Sequence, residues 1–352
     1  MHAADTVEFA CSSEPLVREV LDEYGAFTRR GIQHYLPRDE PCAYLYEPLA
    51  DYPRRGGKML RSSLCIAMAR ATGAEIDDAM PTAVAIELLH NALLVHDDIE
   101  DASDERRGTP TLHALYGVPL ALNAGDAMGL LSLRPLKDNI HRLGLTTALR
   151  IFEETERMAW ESTEGQALEL GWQRDNLTDL SDEDYLRMAL QKTCWLATIY
   201  PMRVGCLIGA RGRIPIDPLL RLGFFFGAAF QIQDDLLNLD PGPGYGKEVN
   251  GDLLEGKRTL MIIHALRRAD SADRRQLADF LGRTRATRSA ADVAWLRTLL
   301  DRTGAIEHAH TVATALSGAA LYEFDTYFAG IRESRDRSFI RSLILWVTRR
   351  TH

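Results

Sequence analysis

Two clusters of acidic side chains follow apolar, helix-forming stretches of this 352-residue chain. The first stretch, residues 88–101 (LLHNALLVHDDIED), ends in Asp97, Asp98 and Asp101. On a helix, Asp97 and Asp101 lie one turn apart on the same face, with Asp98 about 100° around the axis. Such carboxylates repel one another unless a cation lies between them. Mg²⁺ suits the cluster, because this ion prefers oxygen ligands and commonly bridges carboxylates to phosphates.

The second cluster lies in residues 224–240 (FFFGAAFQIQDDLLNLD), where Asp234 and Asp235 precede Asn238. An Asp-Asp pair alone is usually a solvated turn or helix end, and the pair at residues 77–78 is interpreted as such a loop. The other two pairs differ because each follows a long apolar run. They are therefore predicted to form the facing halves of one metal site.

Basic residues beside glycines accompany both clusters. They occur at residues 54–61 (RRGGKMLR), 104–108 (DERRG) and 246–259 (GKEVNGDLLEGKRT). Glycine lets the backbone approach a phosphate closely, Arg offers a planar fork to phosphate oxygens, and Lys supplies a mobile charge. Two diphosphates held in one cavity would need many such partners, because their mutual repulsion is severe where water is excluded.

Helical periodicity dominates the chain, and alternating strand patterns are nearly absent. Pro/Gly clusters mark the breaks between helices. The predicted fold is all-α, a single bundle over residues 1–352 around a central apolar cavity, with residues 1–14 as a flexible extension. The predicted helices share an apolar period near 3.6 and cover residues 15–36, 80–101, 145–170, 182–209, 219–239 and 259–281.

Composition excludes several classes of protein. The formal net charge of −9 argues against general binding of nucleic acid. No run approaches the ~18–20 apolar residues that would span a bilayer, and the N-terminus does not resemble a signal peptide. The five cysteines are scattered and lack a CxxC spacing. We therefore expect reduced thiols and a cytoplasmic location.

The order of these motifs resembles that of the trans-isoprenyl diphosphate synthases, the polyprenyl synthetase family, over residues 44–266 and by extension the whole chain. Within the family, HDDIEDAS followed by RRG is similar to the geranylgeranyl diphosphate synthases. Any one motif is weak evidence, but the ordered set is specific. The matching segments are GGKMLR at 56–61, His90, DDIED at 97–101, RRG at 106–108, GQ at 165–166, KT at 192–193, FQIQDD at 230–235, GK at 246–247 and GKRT at 256–259.

The resemblance implies a prenyltransferase that condenses an allylic diphosphate (dimethylallyl, geranyl or farnesyl) with isopentenyl diphosphate and releases pyrophosphate. It implies a homodimer and two or three Mg²⁺ ions, held by Asp97, Asp98, Asp101 and Asp234 with support from Asp235. The residues implied in catalysis are these four aspartates with Lys192 and Lys247. The residues implied in substrate binding are Gly57, Lys58, Arg61, His90, Arg106, Arg107, Thr193, Gln231 and Lys257.

Two positions bear on how far this resemblance extends. Asn238 stands where many relatives have a third aspartate, so direct metal ligation there is doubtful. Bulky aromatics four or five residues before the first aspartate are typical of C15-producing relatives, and Leu93 and Ala92 occupy those positions here. A growing tail can therefore pass, which favours C20. The wall along this helix is predicted to consist of Leu88, Leu89, Ala92 and Leu93.

Three alternatives remain open from the sequence. A class I terpene cyclase of the same fold would leave GGKMLR, His90 and RRG unexplained, and its usual second metal motif is not evident. A polyprenyl diphosphate synthase with a longer product would share every motif. A non-catalytic subunit of a heteromer would tend to lose one acidic cluster, whereas both are present.

Overall fold

In the computed structural model the chain is described over residues 3–240 and 248–347, with side chains from residue 14 onward. Within these residues seventeen α-helices account for most of the chain, so the predicted all-α class is confirmed. Their bounds, in chain order, are α1 (Ala3–Tyr35), α2 (Glu47–Arg54), α3 (Leu60–Ala71), α4 (Ile76–Glu100), α5 (Leu112–Tyr116), α6 (Val118–Leu131), α7 (Leu133–Leu143), α8 (Leu145–Arg174), α9 (Asp182–Ala189), α10 (Tyr200–Ala210), α11 (Leu219–Leu239), α12 (Gly251–Glu255), α13 (Leu260–Arg268), α14 (Ser271–Gly282), α15 (Ala290–Arg302), α16 (Ala305–Tyr327) and α17 (Arg335–Val347).

Two predicted helices prove to be interrupted. The predicted helix over residues 182–209 consists of α9, a ten-residue π-helix (Leu190–Ile199) and α10. The predicted helix over 259–281 divides into α13 and α14, because the Asp270 carboxylate accepts hydrogen bonds from two backbone N–H groups of α14 and caps its start. The prediction for 219–239 is confirmed to the residue by α11.

The acidic pair at residues 77–78 is not a loop, and that interpretation was wrong. Both aspartates lie in the first turn of α4, where Glu75 and Asp78 form a capping box. Acidic side chains are favourable at a helix N-terminus because the unpaired N–H groups there carry partial positive charge. Aspartate side chains thus stabilise the start of α4. The first acidic cluster, at residues 97–101, lies at the C-terminal end of the same helix, where negative charge is unfavourable.

A two-stranded hairpin follows α4 and returns the chain toward the end of that helix. It pairs β1 (Glu105–Arg106) with β2 (Thr109–Pro110) in antiparallel register. The guanidinium of Arg55 donates to the carbonyl of Arg106 at 3.0 Å and to that of Pro110 at 2.8 Å. These bonds fix the hairpin to the end of α2 and place the Arg106 side chain opposite the acidic residues of α4.

The largest core cluster joins α3, α10, α11 and the π-helix, and its fully buried side chains include Trp195 and Phe226. The C-terminal α17 is attached to α1 and α3 through Asp336, which accepts hydrogen bonds from Tyr24 and, at 3.0 Å, from Arg70. This framework leaves the ends of α4 and α11 on one cavity of about 460 Å³. Both acidic clusters therefore meet, as the sequence predicts.

Three other predictions concern the chain as a whole. Among the described helices none has the length and apolarity required to cross a membrane. The cysteines at positions 42, 65, 194 and 206 are free thiols. The single-domain organisation, the flexible extension at residues 1–14 and the cytoplasmic location stay predictions. Cys11 and most of that extension lie outside the residues whose side chains are described.

Candidate active site

The first acidic cluster occupies the last turn of α4. The backbone N–H of Asp101 donates to the carbonyl of Asp97 at 2.9 Å, so these two side chains leave the same face of the helix. Asp98 is fully buried and Asp101 nearly so. Three carboxylates at a helix C-terminus face the negative end of the helix dipole as well as each other. Cationic neighbours are needed to hold them there.

Asp98 is held by a tyrosine and an arginine. Its Oδ2 accepts a hydrogen bond from the Tyr52 hydroxyl at 2.5 Å, and its Oδ1 accepts one from Arg106 Nε at 2.9 Å. Burial, followed by the charge of Asp98, raises the pKa of Tyr52 above its ordinary value and keeps the phenol protonated. Both oxygens of Asp98 thus accept hydrogen bonds, and the carboxylate orients the Arg106 side chain. Direct metal ligation by Asp98 would require releasing these donors, and it stays a prediction.

Asp97 and Asp101 each face a lysine from a distant part of the chain. Lys192 Nζ lies 3.2 Å from Asp97 Oδ1, and Lys257 Nζ lies 2.8 Å from Asp101 Oδ2. Burial raises the pKa of Asp97, but Lys192, Lys257 and Arg106 outweigh it and hold that pKa well below its usual range. Burial lowers the pKa of Lys192, but Asp97 and Glu169 raise it overall. The Asp97 carboxylate is therefore negatively charged and the Lys192 ammonium group positively charged.

Asp101 is less well compensated than Asp97. The ion pair with Lys257 does not have the geometry of a hydrogen bond, and no donor among the described residues forms a hydrogen bond to either buried oxygen of Asp101. Burial, together with the charges of Asp97 and Glu255, raises the pKa of Asp101 against the opposing effect of Lys257. A buried carboxylate without donors is costly. The two oxygens of Asp101 are therefore better suited to binding a hard cation such as Mg²⁺ than to pairing with protein groups alone.

The second acidic cluster lies in the last two turns of α11, and its members point in different directions. Asp234 lines the cavity. Asp235 accepts hydrogen bonds from the Tyr185 hydroxyl at 2.8 Å and from Gln231 Nε2 at 2.7 Å. Asn238 uses its amide oxygen to accept from the backbone N–H of Asp252 at 3.0 Å. Asn238 therefore supports the backbone of the segment that follows, in agreement with the doubt about its role as a metal ligand.

Asp252 is a residue of the cavity that the sequence analysis missed. It lines the cavity in the segment 248–257, and its Oδ1 lies 3.7 Å from Lys257 Nζ. Asp252 follows Asp98 and Asp234 by far more residues than one helical turn, so no helical spacing links it to them. Its position between two Gly-Lys pairs is the signal that could have identified it. Lys247, which was predicted to contact a diphosphate, lies outside the described residues.

The π-helix presents Lys192 and Thr193 to the cavity. Thr193 Oγ1 donates to the amide oxygen of Gln231 at 2.7 Å, and the Gln231 amide nitrogen donates onward to Asp235. This chain fixes the orientation of the Gln231 amide. Glu169 of the adjacent helix α8 forms an ion pair with Lys192 and is itself buried.

Three glycines allow neighbouring helices to approach the π-helix. A Cβ atom on Gly165 of α8 would lie 2.1 Å from the backbone nitrogen of Lys192. On the other side, Cβ atoms on Gly223 and Gly227 of α11 would each lie 2.8 Å from a Cα atom of the π-helix, in Ile199 and Cys194 respectively. These distances are far below any van der Waals contact. The depth at which Lys192 lies between α8 and α11 therefore depends on glycine.

A group of basic residues borders the cavity behind Arg106. Arg61 and His90 line it, and a Cβ on Gly57 would lie 3.0 Å from the Arg107 guanidinium. Burial, followed by the charges of Arg61 and Arg107, lowers the pKa of His90 far below its ordinary value. The imidazole is therefore neutral, and its buried Nδ1 has no hydrogen-bond partner among the described residues. Lys58 lies 5.2 Å from the centre of the Trp346 ring.

The predicted wall along α4 divides between two faces of that helix. Leu93 lines the cavity, and Leu89 packs against the largest core cluster. Leu88 and Ala92 pack instead in a separate cluster with residues of α1, α2 and α6. Of the four phenylalanines near the second motif, Phe230 lines the cavity and Phe226 is fully buried core. Leu93 is therefore the best placed of the four predicted wall residues.

Comparisons with known proteins agree with this arrangement. Residues 42–299 match the polyprenyl synthetase family model. A short chain isoprenyl diphosphate synthase of Methanothermobacter thermautotrophicus is 36% identical over 73% of this chain and 77% of its own. A (2E,6E)-farnesyl diphosphate synthase of Mycobacterium tuberculosis is 37% identical over 67% of this chain and 64% of its own. A Corynebacterium glutamicum geranylgeranyl pyrophosphate synthase, complexed with isoprenyl diphosphate and magnesium, superposes with a TM-score of 0.84 at 26% identity, covering 93% of this chain and 99% of its own.

Replacing Gly165 with alanine tests whether close helix contact positions Lys192. The added methyl group must displace the backbone at Lys192, so we expect the free energy of unfolding to fall by about 1–3 kcal/mol or more. The matched control is Gly171→Ala in the same helix, where no atom of the described residues outside that helix lies within 4 Å of the new Cβ. That variant should be neutral or more stable by about 0.5–1 kcal/mol. Equal effects in denaturant-induced unfolding of the two variants would contradict this role of Gly165.

Proposed function

Since this chain belongs to the polyprenyl synthetase family and is a prenyl diphosphate synthase, we propose that it condenses an allylic diphosphate with isopentenyl diphosphate. The proposed product is C20 geranylgeranyl diphosphate, with pyrophosphate released. The observation that carries this proposal is one cavity in which carboxylates of α4 and α11 face buried lysines and Arg106. Such a cavity suits a substrate that combines a metal-bound anion with an apolar tail.

The carboxylates suit magnesium. Asp97, Asp101 and Asp234 would hold two or three ions. The observation that favours this assignment is that the buried oxygens of Asp101 accept no hydrogen bond from the part of the chain that the structure describes. Bound Mg²⁺ would supply positive charge to the departing diphosphate. Asp98 contributes through Arg106, which it orients. Asp235 has a supporting role, because it accepts a hydrogen bond from Gln231 and so fixes the orientation of that amide.

The basic residues of the cavity neutralise the same diphosphate. Arg106, Lys192 and Lys257 exchange a carboxylate partner for phosphate oxygens when the substrate enters, and Lys247 is proposed to join them. Electrostatic stabilisation of the leaving group in this way lowers the barrier to breaking the allylic C–O bond. The positive charge then left on the allylic carbon faces the fixed dipoles of Thr193 and Gln231.

The apolar side chains keep the carbocation away from water. Leu93, Leu196 and Phe230 line the cavity beside the charged residues. Water would otherwise capture the cation before the alkene of the second substrate does. The carbon–carbon bond forms when that alkene attacks, and a proton leaves the new cation for the released pyrophosphate.

The second diphosphate is assigned to the basic group behind Arg106. Arg61 and Arg107 supply charge, and Lys58 adds a mobile ammonium group. Gly57 allows the Arg107 guanidinium to lie against the backbone. Neutral His90 can donate one hydrogen bond to a phosphate without competing for the charge. Holding isopentenyl diphosphate here would bring its alkene toward the allylic carbon.

A terpene cyclase is the main alternative, and it makes no use of a second diphosphate. The basic group with His90 among its arginines favours the synthase. A hydrocarbon formed from one diphosphate alone would instead support the cyclase.

Amide substitution of the acidic residues tests the metal assignment. We expect Asp97→Asn and Asp234→Asn each to lower turnover about 100-fold to 1,000-fold, because charge that stabilises the transition state is lost. Turnover is measured as incorporation of labelled isopentenyl diphosphate in the presence of Mg²⁺. The matched control is Asp77→Asn, at an exposed position at the other end of α4. Full activity in Asp97→Asn or Asp234→Asn would refute the assignment.

Product size tests the proposed chain length. Incubation with dimethylallyl, geranyl or farnesyl diphosphate should yield mainly C20 alcohol after dephosphorylation. Leu93→Phe should shorten the product to C15, because the larger ring occupies the path of the tail at the cavity wall. Leu177→Phe, at an exposed position, is the control. A dominant product of C15, or of C30 and longer, from the unmodified enzyme would contradict the proposal.

We further propose a homodimer. Large apolar side chains are exposed along the successive helices α5, α6, α7 and α8, which pack on one another. Patches of this kind mark protein–protein contacts. Their members, here called the α5–α8 apolar surface, are Leu115, Val118, Leu122, Leu130, Leu133, Ile140, Leu145, Leu149, Phe152 and Trp160.

Charge placed on this surface should separate the subunits. Leu130 is 69% exposed, so Leu130→Glu should fold normally as a monomer, yet lower the mass measured by light scattering from that of a dimer to that of one chain. Tyr322 is 70% exposed on α16, and Tyr322→Glu should leave the mass unchanged. A dimer in Leu130→Glu, or a monomer in the unmodified protein, would contradict the proposal.

A further inference from the structure

Arg285 lies far in sequence from both acidic clusters and belongs to none of the motifs. It opens the single-turn 3₁₀ helix Arg285–Thr287 between α14 and α15. Its side chain is only 18% exposed, which is low for an arginine that begins a surface turn. Ordering and partly burying such a side chain is costly, so its contacts must compensate.

Those contacts are three carboxylates from two separate segments of the described chain. One terminal nitrogen of Arg285 forms an ion pair with Glu248 and lies 3.4 Å from Asp104 Oδ2. The other lies 3.4 Å from Glu255 Oε1. Asp104 follows the first acidic cluster by three residues, whereas Glu248 and Glu255 belong to the segment after the second. One guanidinium therefore connects the segments that follow both clusters.

Glu255 relays this connection to the proposed diphosphate site. Its Oε1 accepts a hydrogen bond from Ser103 at 3.1 Å, and its Oε2 lies 2.8 Å from Lys257 Nζ. The same ammonium group lies 2.8 Å from Asp101. Three ion pairs in series thus connect Arg285 to Asp101. Without Arg285, Lys257 would be the one remaining ion-pair partner of Glu255 among the described residues, and it would be drawn away from Asp101.

Neighbouring arginines show what is specific to Arg285. Arg288 donates to the carbonyl oxygens of Leu254 and Leu281, and Arg258 donates to that of Gly256. These two arginines support the backbone of the segment 248–257. Among the described residues, neither forms an ion pair with Asp104 or with the acidic residues of α4. Arg285 differs because each of its partners is an acidic side chain. Its effect on the site is therefore electrostatic as well as structural.

We infer that Arg285 is a positioning residue for the allylic diphosphate. It holds the segments after the two acidic clusters together and offsets the charge of Glu255, so that Lys257 stays available to Asp101 and to phosphate oxygens. The inference rests on the proposed function. Arg285 touches neither substrate, and the basic group formed by Arg61, His90 and Arg107 is independent of it.

The test compares Arg285→Gln and Arg285→Lys with Arg283→Gln. Arg283 lies two residues earlier and pairs with Asp292 and Asp279, away from the cavity, so it is the matched control. Arg285→Gln should raise the KM for the allylic diphosphate about tenfold, which corresponds to the loss of about one charge-assisted contact. The KM for isopentenyl diphosphate should change less than about twofold. Arg285→Lys should recover part of the loss, and Arg283→Gln should resemble the unmodified enzyme.

A charge exchange separates this role from general stability. Arg285→Glu places a fourth acidic side chain beside Asp104, Glu248 and Glu255, and should weaken calorimetric binding of inorganic pyrophosphate in the presence of Mg²⁺. Adding Glu248→Arg restores one opposite-charge pair and should recover part of that binding. Unmodified protein that forms no prenyl product would refute the proposed function. Active unmodified protein, with equal KM changes for both substrates in Arg285→Gln or no recovery in the double variant, would overturn the inference about Arg285.

Discussion

Repulsion among buried carboxylates is the constraint on which the arrangement of this cavity depends. Two like charges 4 Å apart repel by about 4 kcal/mol at the effective dielectric of a partly buried site. The end of α4 concentrates three of them, and α11 brings more from the opposite wall. The fold answers with cations from remote segments, Arg106 from the hairpin, Lys192 from the π-helix and Lys257 from the segment before α13. Each of these connections has its own structural support.

That support explains several irregular features of an otherwise regular helical bundle. The hairpin is held by Arg55 so that Arg106 returns to Asp98. The π-helix lies against glycines on both sides, which brings Lys192 within reach of α4. Asn238 accepts a hydrogen bond from the backbone of Asp252 and so determines where the segment with Lys257 begins. Each of these three features thus helps to deliver a charge to the cavity.

Sequence patterns could predict features that depend on neighbouring residues. The bounds of α11 follow from a local apolar period, and Asp97 and Asp101 share a face because of helix geometry alone. The π-helix could not be predicted, because it depends on glycines of two other helices. Nor could the Tyr52 hydroxyl or Arg285, since each meets its partner only after distant segments pack. Leu88 and Leu93 were predicted to share a wall, yet tertiary packing assigns them to different clusters.

The pairing of Asp97 with Lys192 and of Asp101 with Lys257 has a thermodynamic consequence for ligand order. A metal ion that enters by itself must displace an ammonium group from its carboxylate. A diphosphate that enters by itself must displace a carboxylate from its ammonium group. When the two arrive together, each displaced group gains a new partner of opposite charge. Under the proposed function, metal and diphosphate would therefore be linked ligands, and each would raise the affinity of the cavity for the other by the same factor.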